Sequence, residues 1–385
     1  MIIKNGLVFT GTEFKQKDIY TDGAVIAGSC SCSTIDNSTT SEFGNEIIDA
    51  TDLYVIPGLT DVHFHGCMGQ DFSNGTIEAI ETIAKYEASQ GVTTICPAGM
   101  TLPIEQISQI CKSAAEYNEM SEDNNGATLC GIHLEGPFLS EAKKGAQNGA
   151  YLMRADIDTF HKWQDDAKGL VKLISIAPEY PENMEFIRQA KDEVAISLAH
   201  STADYETAIE AFKAGADHVT HLFNAMNPLS HRSPGIPGAA HDAKAYVELI
   251  CDGVHIHPGM IRTAFSIYGE DRVILISDSM EATGMPDGTY SLGGQSVTVK
   301  GNLATLQDGT IAGSATNLMD CIRFAVKEVG LPLETAIKCA TVNPVKSIGV
   351  FDKYGSLDVG KAADFVLLDK DLNLKGVYVN GKKIV

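Results

Sequence analysis

Short apolar segments rich in β-branched residues recur along the middle of the chain, and most of them end in a polar or ionisable residue. Segments of this length and composition are typical of β-strands. We predict eight such strands, at residues 54–63, 92–96, 129–135, 171–179, 195–200, 218–221, 246–252 and 273–278.

Stretches with the apolar period of an amphipathic helix lie between many of these strands. One covers residues 77–88 and stops before Gly91, and another covers residues 205–212 and stops before Gly215. Alternating strands and helices imply a parallel sheet. Eight such units close most naturally into a (β/α)8 barrel, whose active sites lie at the carboxyl ends of the strands. Helices that would complete the outer ring are predicted at residues 318–329 and 333–341.

A barrel takes about 250 residues, and this chain has 385, which leaves room for a second, smaller unit. The two chain ends have the pattern of such a unit, made of β-strands. Residues 1–9 predict a strand, an Asn5-Gly6 turn and a second strand, and the pattern recurs at residues 365–369 and 377–382. The polar stretch at residues 29–45 predicts a loop in this unit. We therefore predict a small β-sandwich domain built from both termini, at residues 1–56 and 357–385. The catalytic barrel is predicted at residues 57–356.

Composition narrows the classes of partner. The chain has 29 basic and 50 acidic residues and a net charge of −21, which argues against nucleic acid as a partner. No signal segment and no apolar run of about 20 residues is found, so we expect a cytoplasmic protein without a membrane partner. The nine cysteines, an odd number without a Cys-x-x-Cys pair, favour reduced thiols. An anionic small substrate would need local positive charge.

Histidines and a carboxylate at the predicted strand ends suggest a metal centre. His63 and His65 are two residues apart in a strand, so their imidazoles lie on one face. Glu135, His200 and His221 end three other strands and form a three-ligand set that leaves a position open, as in catalytic metal sites. The alternative is that the histidines are ordinary surface residues and the glutamate is a salt-bridged loop carboxylate.

Asp278 ends the eighth predicted strand, on the same rim as these ligands. A metal-bound water loses its proton near neutral pH and becomes a strong nucleophile. Asp278 can then take a proton from that water and pass it to a leaving amine. The alternative role for Asp278, which does not exclude the first, is that of a further metal ligand.

The motifs that carry these residues resemble those of the amidohydrolase superfamily and, within it, those of the deacetylases that act on N-acetylglucosamine 6-phosphate. The resemblance covers nearly the whole chain in order. The segment CPAGM at residues 96–100 departs from the family, since it lacks a Pro-Thr pair, and we assign it no role. The matching segments are PGLTDVH at 57–63, HLEGPF at 133–138, KKGA at 143–146, AHS at 199–201, THLFNAM at 220–226, DGVH at 252–255, SD at 277–278, IAGS at 311–314 and GKAAD at 360–364.

The resemblance implies a role for each matching residue. Glu135, His200 and His221 would hold the metal found throughout the family, and His63 with His65 would allow a second ion. The cofactor would thus be one or two divalent ions per chain, such as zinc or iron. Asp278 matches the catalytic acid/base. Arg232 would reach the phosphate of a substrate in a neighbouring subunit, which implies a homodimer. The residues that match substrate contacts are Ala146, Asn224, Ala225, Arg232, His255, Ile311, Ala312 and Gly313.

The expected activity is metal-dependent removal of acetate from the sugar phosphate N-acetylglucosamine 6-phosphate, in amino-sugar catabolism. The galactosamine epimer is an alternative substrate, because the two sugars differ at one hydroxyl. Cyclic-amide opening or deamination by another type of amidohydrolase is a more distant alternative. A non-catalytic scaffold is a further alternative, but a decayed chain would be expected to have lost ligands, and all five ligands and Asp278 are present. Metal content and amine release from the two epimers would separate these hypotheses.

Overall fold

The computed structural model describes residues 1–30, 46–120 and 125–385. Most of the loop predicted at residues 29–45 lies outside these residues, since only its first two residues are described, at the end of a strand. Parallel strands occupy all eight predicted barrel positions. Barrel strands 1 to 8 are, in order, Leu59–Asp61; Val92–Ile95 with Ala98–Gly99; Thr128–Leu129 with Ile132–Leu134; Val171–Ile176; Ala195–Leu198; His218–Val219; Tyr246–Ile250; and Val273–Ile276.

Each barrel strand pairs in parallel with its neighbours in sequence order, which supports the predicted TIM-like barrel. The ends of strands 8 and 1 come together through side-chain and backbone hydrogen bonds. Ser277 Oγ donates to the Asp61 carboxylate at 2.6 Å, and the Asp278 backbone N–H donates to the His63 carbonyl at 3.0 Å. The residues that follow strands 1 and 8 are therefore held side by side.

Helices cover the outside of the barrel. The two amphipathic stretches predicted to end near Gly91 and Gly215 are helical, and side chains of Thr76 and Asp204 cap their first turns. The predicted helix at 318–329 ends in a π-helical turn, Ala325–Val329, and the one predicted at 333–341 extends further. The α-helices are Ile77–Ser89, Ile104–Met120, Ile157–Asp166, Pro181–Ala190, Tyr205–Ala214, Gly235–Ala243, Pro258–Tyr268, Leu318–Phe324 and Leu333–Ser347, and the 3-10 helices are Phe72–Asn74, Glu141–Lys143 and Gly149–Tyr151.

One mixed sheet joins strands from both ends of the chain, as the prediction of a unit built from both termini requires; its sandwich arrangement stays a prediction. The first predicted barrel strand, 54–63, is in fact divided between this sheet and the barrel. The division falls at Gly58, where an added Cβ would lie 1.9 Å from Thr93 Oγ1. The strands of the sheet are Ile2–Phe9, Phe14–Asp22, Val25–Cys30, Ile47–Asp49, Tyr54–Pro57, Phe365–Leu368, Leu374–Val379 and Lys382–Lys383.

The turn predicted at Asn5-Gly6 is wrong. Ile2–Phe9 is one strand, and its register with the next strand shifts between Ile3 and Gly6. Asn5 adopts a φ of +65°, and its backbone N–H donates to the Asp18 carboxylate at 2.9 Å. A neighbouring strand thus supplies an acceptor at the irregular position, so the dipeptide forms a bulge rather than a reversal.

A three-stranded antiparallel sheet, which the sequence interpretation missed, follows barrel strand 8. Its strands are Gly288–Leu292, Gln295–Lys300 and Leu303–Thr305. Leu292 and Val297 pack with Met100 and Ala146 in a small apolar cluster. The sheet therefore lies against loops at the carboxyl ends of the barrel strands. A two-stranded ribbon, Gly66–Cys67 with Gln70–Asp71, adds to the same region.

Two further findings concern the expectations from composition. Eight cysteines lie in the described part of the chain; all are free, and seven are buried. Among the described residues, no helix is both long and apolar enough to cross a bilayer.

Candidate active site

Six ionisable side chains meet at the carboxyl ends of the barrel strands, as predicted. All of them are buried. They follow five different strands, so the cluster depends on the closed barrel rather than on any local segment. In strand order the residues are His63 and His65 after strand 1, Glu135 after strand 3, His200 after strand 5, His221 after strand 6 and Asp278 after strand 8.

Glu135 is the centre of the cluster. Its Oε1 atom lies 3.1 Å from Nε2 of both His200 and His221 and 3.4 Å from Nε2 of His63. Its Oε2 atom lies 3.2 Å from Nε2 of His65. One carboxylate therefore faces both histidine pairs, which is the arrangement that a bridging ligand between two ions requires.

Asp278 lies on the side of the cluster formed by strand 1. Its Oδ1 atom is 3.4 Å from Nε2 of His65 and 3.8 Å from Nε2 of His63. The structure thus brings Asp278 to the metal-ligand cluster, within reach of a molecule bound there.

Hydrogen bonds to Nδ1 orient three of the four imidazoles. When these imidazoles are neutral and each Nδ1 donates to its oxygen, Nε2 carries no proton and can bind a metal ion. The acceptors are the Glu248 carboxylate for His63 at 2.8 Å, the Ala98 carbonyl for His65 at 3.1 Å and the Lys143 carbonyl for His200 at 2.8 Å.

Three residues of the site have a left-handed backbone conformation. The φ angles are +43° at His200, +29° at His221 and +48° at Asp278. Such conformations cost about 1–3 kcal/mol each for residues other than glycine, and they concentrate at functional sites. Each kink turns the chain sharply at the end of its strand.

The charges of the cluster favour a cation at its centre. Burial alone would lower the pKa of His65, but the carboxylates of Asp278 and Glu135 raise it to about 10. Burial also opposes ionisation of the two carboxyl groups, yet the imidazoles hold the pKa of Glu135 well below its ordinary value and lower that of Asp278. Both carboxylates are thus ionised at neutral pH and attract a proton or a metal cation.

The donor set fits a divalent metal ion. Two groups of three ligand atoms, Glu135 with His200 and His221 and Glu135 with His63 and His65, each lie within 4.8 Å of one another. Imidazole and carboxylate ligands suit zinc and iron. The buried Nε2 atom of His63 has no hydrogen-bond partner in the described part of the chain. A bond to a metal ion would satisfy this atom.

A cavity of about 390 Å³ opens above the cluster. His255 is held in its wall by the Asp252 carboxylate, 2.7 Å from Nδ1. Burial would lower the pKa of His255, but this carboxylate raises it. Six of the predicted substrate residues line the cavity: Ala146, Asn224, Ala225, His255, Ile311 and Gly313.

The other two predicted substrate residues do not line this cavity. Ala312 is buried and packs in the apolar cluster of the three-stranded sheet. Arg232 is exposed and makes no hydrogen bond or ion pair within the described residues. Their roles in substrate binding stay predictions.

Several residues of the site were missed from the sequence. Gln147, directly after the KKGA motif, donates from Nε2 to Glu135 Oε2 at 2.7 Å and accepts the Thr101 backbone N–H at 2.8 Å. In the segment that was assigned no role, the Ala98 carbonyl orients His65 and Met100 lines the cavity. The adjacent motif was a usable signal for Gln147. A backbone carbonyl leaves no such signal.

Comparisons with known proteins show the family of the chain. The sequence profile of the amidohydrolase family matches residues 54–384. N-acetylglucosamine-6-phosphate deacetylase of Bacillus subtilis (strain 168) is 38% identical over 360 residues, which cover 92% of this chain and 91% of that protein. N-acetylgalactosamine-6-phosphate deacetylase of Escherichia coli O157:H7 is 32% identical over 328 residues, which cover 85% of this chain and 86% of that protein.

A solved structure gives the same result. A mutant of N-acetyl-D-glucosamine-6-phosphate deacetylase from Mycobacterium smegmatis, in complex with N-acetyl-D-glucosamine-6-phosphate, superposes with a TM-score of 0.92 at 30% identity, covering 100% of this chain and 99% of that chain. With the profile match over most of its length, the chain belongs to the amidohydrolase family.

Proposed function

We propose that this protein hydrolyses the N-acetyl group of N-acetyl-D-glucosamine 6-phosphate, giving D-glucosamine 6-phosphate and acetate. The observation that carries the proposal is the buried cluster of Glu135, His200, His221 and Asp278 below a cavity of about 390 Å³. The relative named for this activity is 38% identical over 92% of the chain. The reaction belongs to amino-sugar catabolism.

The metal positions follow from the donor set. Glu135, His200 and His221 would hold one divalent ion, and His63 with His65 and Glu135 would hold a second. A bound ion polarises the amide carbonyl and makes the attacking water more acidic. Zinc and iron both suit these ligands.

Asp278 moves the proton in this mechanism. Its carboxylate takes a proton from the water while the water oxygen forms a bond to the acetyl carbon. The C–N bond then breaks, and Asp278 returns the proton to the departing amine nitrogen. The lowered pKa of Asp278 fits the first of these steps, because the group must begin as a carboxylate.

The cavity wall binds the sugar phosphate. The residues proposed to contact it are Ala146, Asn224, Ala225, Arg232, His255, Ile311, Ala312 and Gly313. Arg232 is exposed and does not line the cavity of its own chain. We therefore propose that it binds the phosphate of the substrate held by a neighbouring subunit in a homodimer. An Arg fork matches the oxygens of a phosphate.

The chain organisation is also part of the proposal: a barrel at residues 57–356 and a small β-sandwich domain at residues 1–56 and 357–385. Support comes from a separate apolar cluster in which Ile3 and Val55 pack with Phe365 and Leu367, from opposite chain ends. We further propose a cytoplasmic location, which the free and mostly buried thiols support.

N-acetylgalactosamine 6-phosphate is a second candidate substrate, because a relative named for its deacetylation is 32% identical. The test is the rate of amine release from both epimers and from unphosphorylated N-acetylglucosamine, together with elemental analysis of the metal. We expect the highest kcat/KM for the gluco epimer and loss of turnover after metal removal. A higher kcat/KM for the galacto epimer would identify N-acetylgalactosamine 6-phosphate as the preferred substrate. Turnover of only a cyclic amide or a deamination substrate would show that the protein catalyses a different amidohydrolase reaction. No turnover by metal-loaded protein would indicate a non-catalytic scaffold.

A further inference from the structure

Glu248 is a buried carboxylate in the middle of barrel strand 7, and the proposed reaction does not use it. Val247 and Leu249, its neighbours in the strand, belong to the main apolar core. Successive side chains of a strand alternate between its two faces, so Glu248 shares the inner face with Ile250. Ile250 packs with apolar side chains of other barrel strands. A charge at this position is costly unless it is fully paired.

A single oxygen of Glu248 contacts both halves of the metal centre. Oε2 accepts a hydrogen bond from His63 Nδ1 at 2.8 Å and another from the His221 backbone N–H at 3.0 Å. The first residue belongs to the position formed with His65, and the second belongs to the position formed with His200. Glu135, which is itself one of the ligands, is the other described side chain that contacts residues of both positions.

The other polar atoms of Glu248 also lie close to neighbouring residues, and Oε1 is left without a hydrogen-bond partner among the described residues. Oε1 lies 3.1 Å from His218 Nε2, and the backbone carbonyl accepts the Leu222 N–H at 2.8 Å. Side chain and main chain of one residue therefore hold His221 and the residue after it. His221 has a left-handed φ of +29°, a conformation that persists only when its surroundings fix it.

We propose that Glu248 is a positioning residue that couples the two metal positions, an inference that rests on the proposed metal-dependent function. By accepting from Nδ1, it leaves Nε2 of His63 as the metal ligand. By accepting from the His221 N–H, it fixes the kink that turns that imidazole toward Glu135. Loss of the carboxylate is expected to weaken both positions, most of all the one that contains His63, whose side chain it holds directly.

Two isosteric variants separate positioning from packing. Glu248→Met removes both acceptor oxygens but fills the same space, whereas Glu248→Gln keeps one oxygen and removes the charge. Replacing a buried charge by an apolar residue is often neutral for folding, so a purely structural role predicts normal metal binding by Glu248→Met. A positioning role predicts weaker metal binding, by about 10- to 100-fold for partners that orient metal ligands, with Glu248→Gln between Glu248→Met and the parent.

The experiment titrates the full-length, metal-free chain with zinc ions against a chromophoric chelator and counts bound zinc by elemental analysis. Asp364→Asn is the control, because Asp364 is also a buried carboxyl and accepts from the Asn380 N–H at 2.6 Å, away from the metal ligands. We expect the control to bind two zinc ions like the parent. If Glu248→Met does not fold, Glu248→Gln alone must show about a 10-fold loss at the weaker position.

Parental zinc affinity at both positions in both Glu248 variants would overturn the inference, as would an equal loss in Asp364→Asn. Deacetylase activity of the parent is measured separately. If zinc binding weakens as expected but the parent releases no amine from either sugar phosphate, the positioning role stands and the proposed function fails.

Discussion

The metal-ligand cluster and the loop that carries Arg232 are built in opposite ways. In the cluster every ionisable group is buried, and three imidazoles are oriented by hydrogen bonds at 2.8–3.1 Å. In the loop, residues 228–233 are exposed. The backbones of Ser230 and Ser233 are joined by two long hydrogen bonds of 3.3 Å. Both regions follow the ends of barrel strands, yet only one is preorganised within a single chain.

The difference indicates a division of tasks. Preorganised groups in a site that excludes water stabilise developing charge without reorganisation, which hydrolysis of an amide requires. A phosphate carries its charge before, during and after the reaction, so an exposed cation serves it through binding alone. Variants in the cluster should therefore affect every acetylated substrate, and a variant in the loop should affect only phosphorylated ones.

The largest effect is expected for His200→Ala. His200 shares Glu135 Oε1 with His221, so its loss removes a ligand from the proposed metal position formed by these three residues. A metal ion contributes several kcal/mol of stabilisation, so kcat/KM should fall by at least about 10³-fold. Elemental analysis and steady-state kinetics on phosphorylated and unphosphorylated sugars provide the measurement. Retention of two ions and normal turnover would show that His200 is not a metal ligand.

Asp278→Asn should separate proton transfer from metal binding. Asn tolerates the left-handed conformation found at this position, with φ +48°, so the fold should persist. General acid–base catalysis contributes about 10²–10⁴-fold, and kcat should fall by that order while metal content stays at the parental value. Near-normal turnover would show that Asp278 is not the proton carrier.

The double variant His63→Ala with His65→Ala tests the second metal position. Glu135, His200 and His221 remain, so bound metal should fall from about two ions per chain to about one. We expect an activity loss on the order of 10²-fold, smaller than that of His200→Ala, because the remaining ion still stabilises charge. One ion per chain in both the parent and the double variant would contradict the two-ion proposal.

The smallest effect, and the most selective, is expected for Arg232→Ala. A hydrogen bond to a charged group contributes about 1.5–3 kcal/mol, so kcat/KM for the phosphorylated sugar should fall about 10- to 100-fold. Activity on unphosphorylated N-acetylglucosamine, already low, should barely change. Equal losses on both substrates, or a parent that is fully active as a monomer in analytical ultracentrifugation, would contradict the proposed role across a dimer.

Sequence reasoning located the cluster because its residues end strands. A run of apolar residues followed by His200, His221 or Asp278 is visible in one dimension, and the barrel fold brings such positions to one rim. Glu248 has no such signal. It interrupts an apolar strand, and its purpose depends on contacts with residues 27 and 185 positions away in the chain.

Tertiary context explains why one of two predicted Asn-Gly turns is present in the structure and the other is not. Asn380-Gly381 forms the predicted hairpin, with φ +49° and +72°, because Val379 and Lys382 pair directly on either side. Asn5-Gly6 instead lies inside Ile2–Phe9, which pairs with Phe14–Asp22 on one side and with Ile47–Asp49 and Tyr54–Pro57 on the other. The same dipeptide therefore gives a turn or a bulge according to the tertiary context. The three-stranded sheet, with strands of five, six and three residues, was also missed, because its strands do not alternate with helices as the barrel strands do.

The sheet built from both termini has a consequence for how the protein is made. Tyr54–Pro57 pairs on one side with Ile2–Phe9, which is translated before it, and on the other with Phe365–Leu368, which is translated about 300 residues later. At about 5–20 residues per second, this strand waits roughly 15–60 s for its second neighbour. During that time it presents an open edge to other nascent chains. Chains arrested before residue 365 should therefore be more prone to proteolysis and aggregation than chains in which Phe365–Leu368 has been translated and covers this edge.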